Sequence, residues 1–387
     1  MLADGCDHAD LAGGRLIVDL DALKANYQLI ARTVSPARAA AVVKADAYGL
    51  GAARVAPALA EAGCRDFFVA ALSEALSLKP HLPADARIYV LNGLQPGGEP
   101  SCARAGVRPV LNSLEQAQRW RAIARAEGQR LPAALQLDSG MSRLGLSPAE
   151  AEQIAADAGF FRDVEVELLM SHLACADTPE ARANNDQLAR FEALADRAPP
   201  NIPRSIANSG GSFLPRDFHG DLVRPGLALY GAAPLVGVPS PVRPVIGLEA
   251  RVIQVRTISA GTGVGYGLSY TAPDERRIAT VSVGYADGWP RRLGGRAAAY
   301  FGDVRLPIVG RVSMDSMSID VSALPEGALV EGDYVELIGP RQSLETVAEL
   351  ADTIAYEILT SLGRRYSRIY LDQSQTASQG VALEIEA

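Results

Sequence analysis

Lys44 directly follows AAAVV at residues 39–43, an apolar run with the length of a buried strand. An amine leaving such a strand is poorly solvated. That disfavours its charged form, lowers its pKa and frees a lone pair for Schiff-base chemistry. The competing reading is a lysine that snorkels to solvent or pairs with nearby Asp46. Other reactive side chains stand in the same relation to short apolar runs: Asp138 and Arg143 after AALQL, His172 after VELLMS, Asn208 and Ser209 after RSIA, and Arg224 after DLV. The glycine-rich stretch GTGVGYG at 261–267 is not a dinucleotide fingerprint. Tyr266 occupies the place of the third glycine, and no helical pattern follows. Its glycines are expected to let the backbone carry Tyr266 into a crowded place, the alternative being a tyrosine of a plain turn or bulge. The four histidines show no pair at helical ligand spacing, so no metal site is expected.

The elements that must hold these residues are of two textures. Candidate strands at 39–43, 67–71, 88–91, 107–111, 133–137, 164–170, 204–207 and 221–223 alternate with helical patterns such as 51–62, 113–127, 148–158 and 179–197. In the helices apolar residues recur at three- and four-residue steps, with Ser or Thr before Pro as a start signal. About eight strand–helix repeats imply parallel units and a closed (β/α)8 TIM-type barrel, with a doubly wound sheet as the alternative. In such a barrel, Lys44, Asp138, Arg143, His172, Asn208, Ser209 and Arg224 all fall at the C-terminal rim, where active sites are built. After the Pro-rich junction at 239–245 come β-branched alternating runs at 250–258, 278–283, 304–309, 317–321 and 334–338, with one late helix at 344–362. This predicts a mainly antiparallel β domain. The expected division is an N-terminal tail at 1–14, a barrel at 15–245 and a β domain at 246–387, its end frayed from Gln373 onward.

The 387 residues are too many for one ordinary module, and 48% hydrophobic with 21% charged content excludes wholesale disorder. Thirty-seven basic against 45 acidic residues give −8, which offers no overall basic field for nucleic acid or an anionic membrane. Cys6, Cys64, Cys102 and Cys175 lie far apart, and the first residues lack a basic start and an apolar core. A cytoplasmic protein without a secretory signal is expected. The longest uncharged stretches are broken by Pro or Gly, which argues against membrane-spanning helices.

Taken together, AVVKADAYGLGA around Lys44, LDSGMSRLG around Arg143, ANSGG around Ser209, VRPGLALYG around Arg224, GVGYG around Tyr266, VGYADG around Tyr285, GRVSMD before Asp315 and AYEIL around Tyr356 resemble alanine racemase. The likeness runs in order from about Arg15 to Tyr370. It implies a pyridoxal phosphate enzyme in which Lys44 holds the coenzyme covalently and serves as base on one face of the alanine Cα. Tyr266 is the implied base on the opposite face, helped by a hydrogen bond from His172, itself linked to Arg224. Racemisation needs two such groups, one to remove a proton and one to return it. Arg224 would face the pyridine nitrogen and, being always protonated, would restrain the ring as an electron sink. Tyr48, Ser209, Tyr356 and the amides of Gly226 and Leu227 would bind the phosphate. Arg143 and the Met314 amide would bind the substrate carboxylate, and Tyr285 with Tyr356 would narrow the pocket. The resemblance also implies a homodimer in which Tyr266, Met314 and Tyr285 complete the other subunit's site.

The chain departs from the pattern at Gln136, where members often carry a carbamylated lysine whose charge orients the arginine seven residues on. Ser142 and Ser313 also replace common residues. These changes bear on efficiency and substrate range. Competing readings are a serine or broad-range racemase, a barrel-type amino-acid decarboxylase, and a non-catalytic pyridoxal phosphate binder. Arg224 speaks against the decarboxylase, which uses an acidic residue there, and the Tyr266-bearing β domain against the binder.

Overall fold

The structure, a computed structural model, describes residues 12–372. The polar end expected from Gln373 onward and most of the tail expected at 1–14 lie outside the described residues. The chain divides into two compact units, one formed by Leu23–Arg243 and the other by the chain flanking it on both sides.

In the first unit, Ala41–Val42, Asp66–Val69, Arg87–Val90, Arg108–Leu111, Leu131–Gln136, Val164–Met170 and Arg204–Ser205 pair in sequence order, all parallel. The ring closes through Leu222–Val223, which pairs in parallel with Arg38–Ala39. On its other side Asp221 and Arg224 donate backbone N–H groups to Arg204 and Ala207 oxygens. The first strand is interrupted at Ala40, whose N–H turns to Val223 O at 2.9 Å. Eight parallel strands therefore form a closed barrel rather than a doubly wound sheet.

Local chemistry explains the helices between them. Ser113 Oγ accepts the Gln116 N–H to start Leu114–Glu127. Ser147 and Glu150 form a reciprocal cap with Pro148 in the first turn of Pro148–Ala155. The helix expected over 148–158 stops there because Asp157 caps a new one, Ala158–Asp163, by accepting the Phe160 N–H at 3.1 Å. At the N-terminal end of the barrel, buried Asp66 accepts from Arg38 at 2.7 Å and twice from Arg87 at 2.7 and 2.8 Å. One carboxylate thus ties three neighbouring strands, leaving the opposite rim for chemistry.

In the second unit a ring of antiparallel strands runs Arg276–Val281, Met317–Asp320, Val304–Val309, Ala298–Phe301, Tyr334–Ile338 and Ile246–Ile258, and back to Arg276–Val281. The 13-residue strand Ile246–Ile258 serves two neighbours because irregularities at Leu248/Glu249 and Val252/Gln254 bend it. Gly14–Asp19 pairs antiparallel with its first half and parallel with Ser367–Leu371. The sequence reading starts the barrel at residue 15; Gly14–Asp19 is a strand of the second unit's sheet, its alternation of buried and half-exposed residues that of a strand with one face covered. The single late helix expected at 344–362 is two helices, Leu344–Leu350 and Ala355–Ser361. Asp352 adopts a left-handed φ of 59°, and Thr353 N–H returns to Ala348 O, which ends the first helix.

Candidate active site

Lys44 opens a short turn, Lys44–Tyr48, at the C-terminal end of the first barrel strand. Ala45, Asp46, Ala47 and Tyr48 all have φ between 53° and 57°, a left-handed turn built without glycine. Each such residue costs ~1–2 kcal/mol relative to the right-handed form, so the surroundings must hold the turn. Ala47 N–H bonds Val43 O, Gly49 N–H bonds Ala45 O, and Asp46 Oδ1 accepts the Ala52 N–H at 2.7 Å. Asp46 is thereby engaged with backbone, and no Lys44–Asp46 ion pair forms among the described residues. Burial lowers the Lys44 pKa, Arg143 lowers it further, and Glu74 opposes them.

His172 follows Val164–Met170 and carries three positive neighbours. Burial first, then the charges of Arg224, Arg143 and Lys44, pushes it down to about 3, so its imidazole is neutral at ordinary pH. That electrostatic coupling groups Lys44, Arg143, His172 and Arg224 at one mouth. Arg224 is fully buried, and desolvation brings it down to about 9. Its guanidinium donates to Ser205 Oγ and to the Ser171 carbonyl, and Ser205 Oγ in turn donates to Leu222 O. No carboxylate pairs with it among the described residues. A buried cation satisfied only by neutral groups is costly to maintain, and its function lies in what it faces.

Ser209, buried, accepts the Gly226 N–H at 2.9 Å and the Ala228 N–H at 3.2 Å. Gly226 lies against Tyr48: a Cβ there would overlap the Tyr48 hydroxyl and meet its Cζ at 3.1 Å and Val42 Cβ at 3.3 Å. Tyr48 in turn packs on Tyr230, ring centroids 4.6 Å apart, and Tyr230 is anchored to Val42 O at 2.9 Å. Two hydroxyls and a row of backbone amides, Leu227 between the two donors, therefore converge in a cradle suited to an anion.

Arg143 sits on an exposed loop fixed by its neighbours. Asp138 Oδ1 accepts the Gly140 and Ser142 N–H groups at 2.9 and 3.0 Å. Leu146 closes the loop on both Gln136 O and Asp138 N–H. Gln136 Nε2 donates to Leu144 O at 3.2 Å. Its side chain thus braces the backbone beside Arg143, where a charged group would have addressed the guanidinium.

Tyr266, Tyr285, Met314 and Tyr356 belong to the other unit. Tyr266 stands at the tip of a hairpin whose arms, Gly263–Val264 and Tyr270–Thr271, are paired. Gly265 and Gly267 take left-handed φ of 71° and 73° there. Within the chain the tip is open rather than crowded, with Tyr266 71% exposed. Tyr285 and Met314 are held together: Tyr285 N–H bonds Ser313 O at 3.0 Å and Ala286 N–H bonds Met314 O at 2.9 Å. Arg365 clamps both turns through Asp287 at 2.6 Å and Asp315 at 2.7 Å. Tyr356 lies on Ala355–Ser361, half-exposed.

The models of the alanine racemase N-terminal domain and the alanine racemase C-terminal domain match residues 18–234 and 245–370. The chain belongs to the alanine racemase family. It is 54% identical to the alanine racemase of Brucella ovis over 379 residues, 94% of this chain and 96% of that protein. It is equally 54% identical to the catabolic alanine racemase of Agrobacterium fabrum, covering 96% of each. A crystal structure of alanine racemase from Bartonella henselae with covalently bound pyridoxal phosphate matches with a TM-score of 0.89 and 45% identity, over 93% of this chain and all of that one. The biosynthetic enzyme of Pseudomonas aeruginosa matches at 0.85 and 36%, again over 93% of this chain and all of the other.

Sequence reasoning missed Ser171, Ser205, the Ala228 amide and Arg365. All act through neighbours distant in sequence; Ser171, Ser205 and Ala228 lie inside the runs VELLMS, RSIA and VRPGLALYG, but their partners are set only by the fold.

Proposed function

We propose that the protein interconverts L- and D-alanine with pyridoxal phosphate held on Lys44. The observation that carries this reading is the meeting, at one barrel mouth, of a desolvated amine and a buried guanidinium that no carboxylate among the described residues neutralises. The residues present fit the coenzyme: an amine for its carbonyl carbon, a hydroxyl-and-amide cradle for a phosphate dianion, and a donor with no acid partner for a ring nitrogen. Tyr48, Ser209 and the amides of Gly226 and Leu227 would take the phosphate, joined by Tyr356. When bound, pyridoxal phosphate acidifies the substrate Cα–H by delocalising the electron pair left behind.

The protein supplies the proton traffic. Lys44 Nζ, once displaced from the coenzyme by the substrate's amine and with its pKa lowered by burial, would remove or return the Cα proton on one face. Tyr266 Oη does so on the other, since inversion requires a donor opposite the acceptor. A phenol is a weak base alone. Neutral His172 can donate a hydrogen bond to the developing phenolate, and it stays neutral because Arg224, Arg143 and Lys44 crowd it with positive charge. Arg224 would donate to the ring nitrogen without protonating it, which would limit charge build-up on the coenzyme and disfavour transamination. Arg143 and the Met314 amide orient the substrate carboxylate, and Tyr285 with Tyr356 restricts the side chain to a small one.

This scheme requires a homodimer. Tyr266 at 71% exposure, Leu268 at 66%, Met314 at 53% and Ile354 at 61% are apolar or amphipathic groups left to water on the β-rich unit. Such a surface is suited to burial against a second copy of the chain. Among the described residues no helix is long and apolar enough to cross a membrane, and a cytoplasmic enzyme is proposed. Borohydride treatment of the pyridoxal phosphate-loaded protein, followed by peptide mapping, is expected to place one pyridoxyl group on Lys44. A label on another lysine, or failure to racemise L-alanine, refutes the assignment.

A further inference from the structure

We infer that Glu74 is a positioning residue for Lys44 and Tyr48: its carboxylate straps down the left-handed turn that presents both at the barrel mouth. The inference rests on the pyridoxal phosphate reading above. Glu74 lies in the first turn of Leu72–Leu78, after the second barrel strand. One oxygen does what a glutamate there ordinarily does, accepting the Ala70 and Ala71 N–H groups at 2.7 and 3.1 Å. The other reaches across to the Ala45 N–H at 2.6 Å. Ala45 is the first left-handed residue after Lys44, and its N–H precedes the first bond that the turn closes on itself, from Ala47 to Val43.

Ala47 and Tyr48 of the turn are buried, but the Asp46 side of it is not packed. An open pocket of about 350 Å³ lies on that side, lined by Val43, Asp46, Ala52, Glu74, Ser77 and His81 among others. Four successive left-handed residues without glycine need an external hold. At the start of the turn that hold is the charge-assisted bond from Ala45 to Glu74. At its far end it is the bond from Ala52 to Asp46. Lys44 and Tyr48 flank the strapped segment, so releasing it moves the amine and the cradle hydroxyl relative to each other. Glu74 also opposes the lowering of the Lys44 pKa, so it adjusts the amine as well as aiming it.

The test compares wild type with Glu74→Asp and Glu74→Ala. Aspartate, one methylene shorter, keeps an oxygen for the helix start but does not span to Ala45, whereas alanine loses both contacts. Equilibrium dialysis against pyridoxal phosphate gives its dissociation constant, pH titration of the bound coenzyme's visible absorbance reports the Lys44 environment, and thermal melting reports the fold. Glu74→Asp is expected to weaken coenzyme binding roughly tenfold and to shift the absorbance titration, with a melting temperature close to wild type. Glu74→Ala is expected to lower both binding and melting temperature. Wild-type binding and an unshifted titration in Glu74→Asp overturn the inference, whatever Glu74→Ala does, because the carboxylate then serves only as a helix cap. If wild-type protein takes up no coenzyme on Lys44, the underlying reading fails instead, and the borohydride label tells the two failures apart.

Discussion

Gly226→Ala tests whether Tyr48 and the Ser209 cradle form one unit. Gly226 has φ −127° and ψ −80°, outside the main regions open to alanine, so a backbone penalty common to both backgrounds adds to the steric one and cancels in a double-mutant cycle. The added methyl would overlap the Tyr48 hydroxyl. Tyr48 is buried and wedged against Tyr230, so its ring must tilt out of place. Overpacking of this kind costs about 1–3 kcal/mol. Loss of a hydroxyl bond to a charged phosphate adds about 1.5–3 kcal/mol to coenzyme binding, or roughly a 10- to 150-fold weaker dissociation constant. Tyr48→Phe removes the overlapping oxygen and leaves contacts of 3.1 and 3.3 Å, which small shifts relieve. In the Tyr48→Phe background, Gly226→Ala is therefore expected to keep its backbone penalty but to shed the overpacking part of its cost, about 1–3 kcal/mol. Chemical denaturation of the four proteins, loaded with coenzyme, gives the cycle. Additivity within about 0.3–0.5 kcal/mol would mean that the two residues do not interact, and the cradle geometry would be wrong.

Tyr266→Phe is expected to slow removal of the Cα proton from one enantiomer of alanine by roughly 10²–10⁴-fold. Deuterium wash-in from solvent, measured separately on L- and D-alanine, reads this, and equal losses for both would refute the opposed-base scheme. His172 makes a prediction about pH. Its folded value near 3 lies below the ordinary ~6.5 of an unfolded imidazole. As pH falls below about 6.5 the unfolded chain therefore takes up a proton that the folded chain refuses, and stability drops progressively toward pH 3. His172→Asn should flatten that part of the acid limb in denaturation curves taken between about pH 7 and about pH 4. An unchanged slope would show that the imidazole is not held neutral.

Much of this molecule is legible in its sequence. Strand–helix alternation gave the barrel and its rim because apolar periodicity is a local property, and Lys44, His172, Ser209 and Arg224 follow apolar runs that had to be strands. The motif set identified the chemistry because spacing within each motif fixes which side chains share a loop. Other features depended on long-range contact. Nothing in KADAY announces four left-handed residues; that geometry exists because Glu74, Asp46 and the barrel strand together over-determine it. The neutral surroundings of Arg224 come from Ser171, just past the end of one barrel strand, and Ser205, on the next. Gln136 looked like a missing charge, yet in the fold it braces the Leu144 carbonyl. Gly14–Asp19 precedes the barrel in sequence but pairs with Ile246–Ile258, more than two hundred residues later. Composition and period are written residue by residue along the chain. The partner of a hydrogen bond and the twist of a strained turn are decided only when distant segments meet.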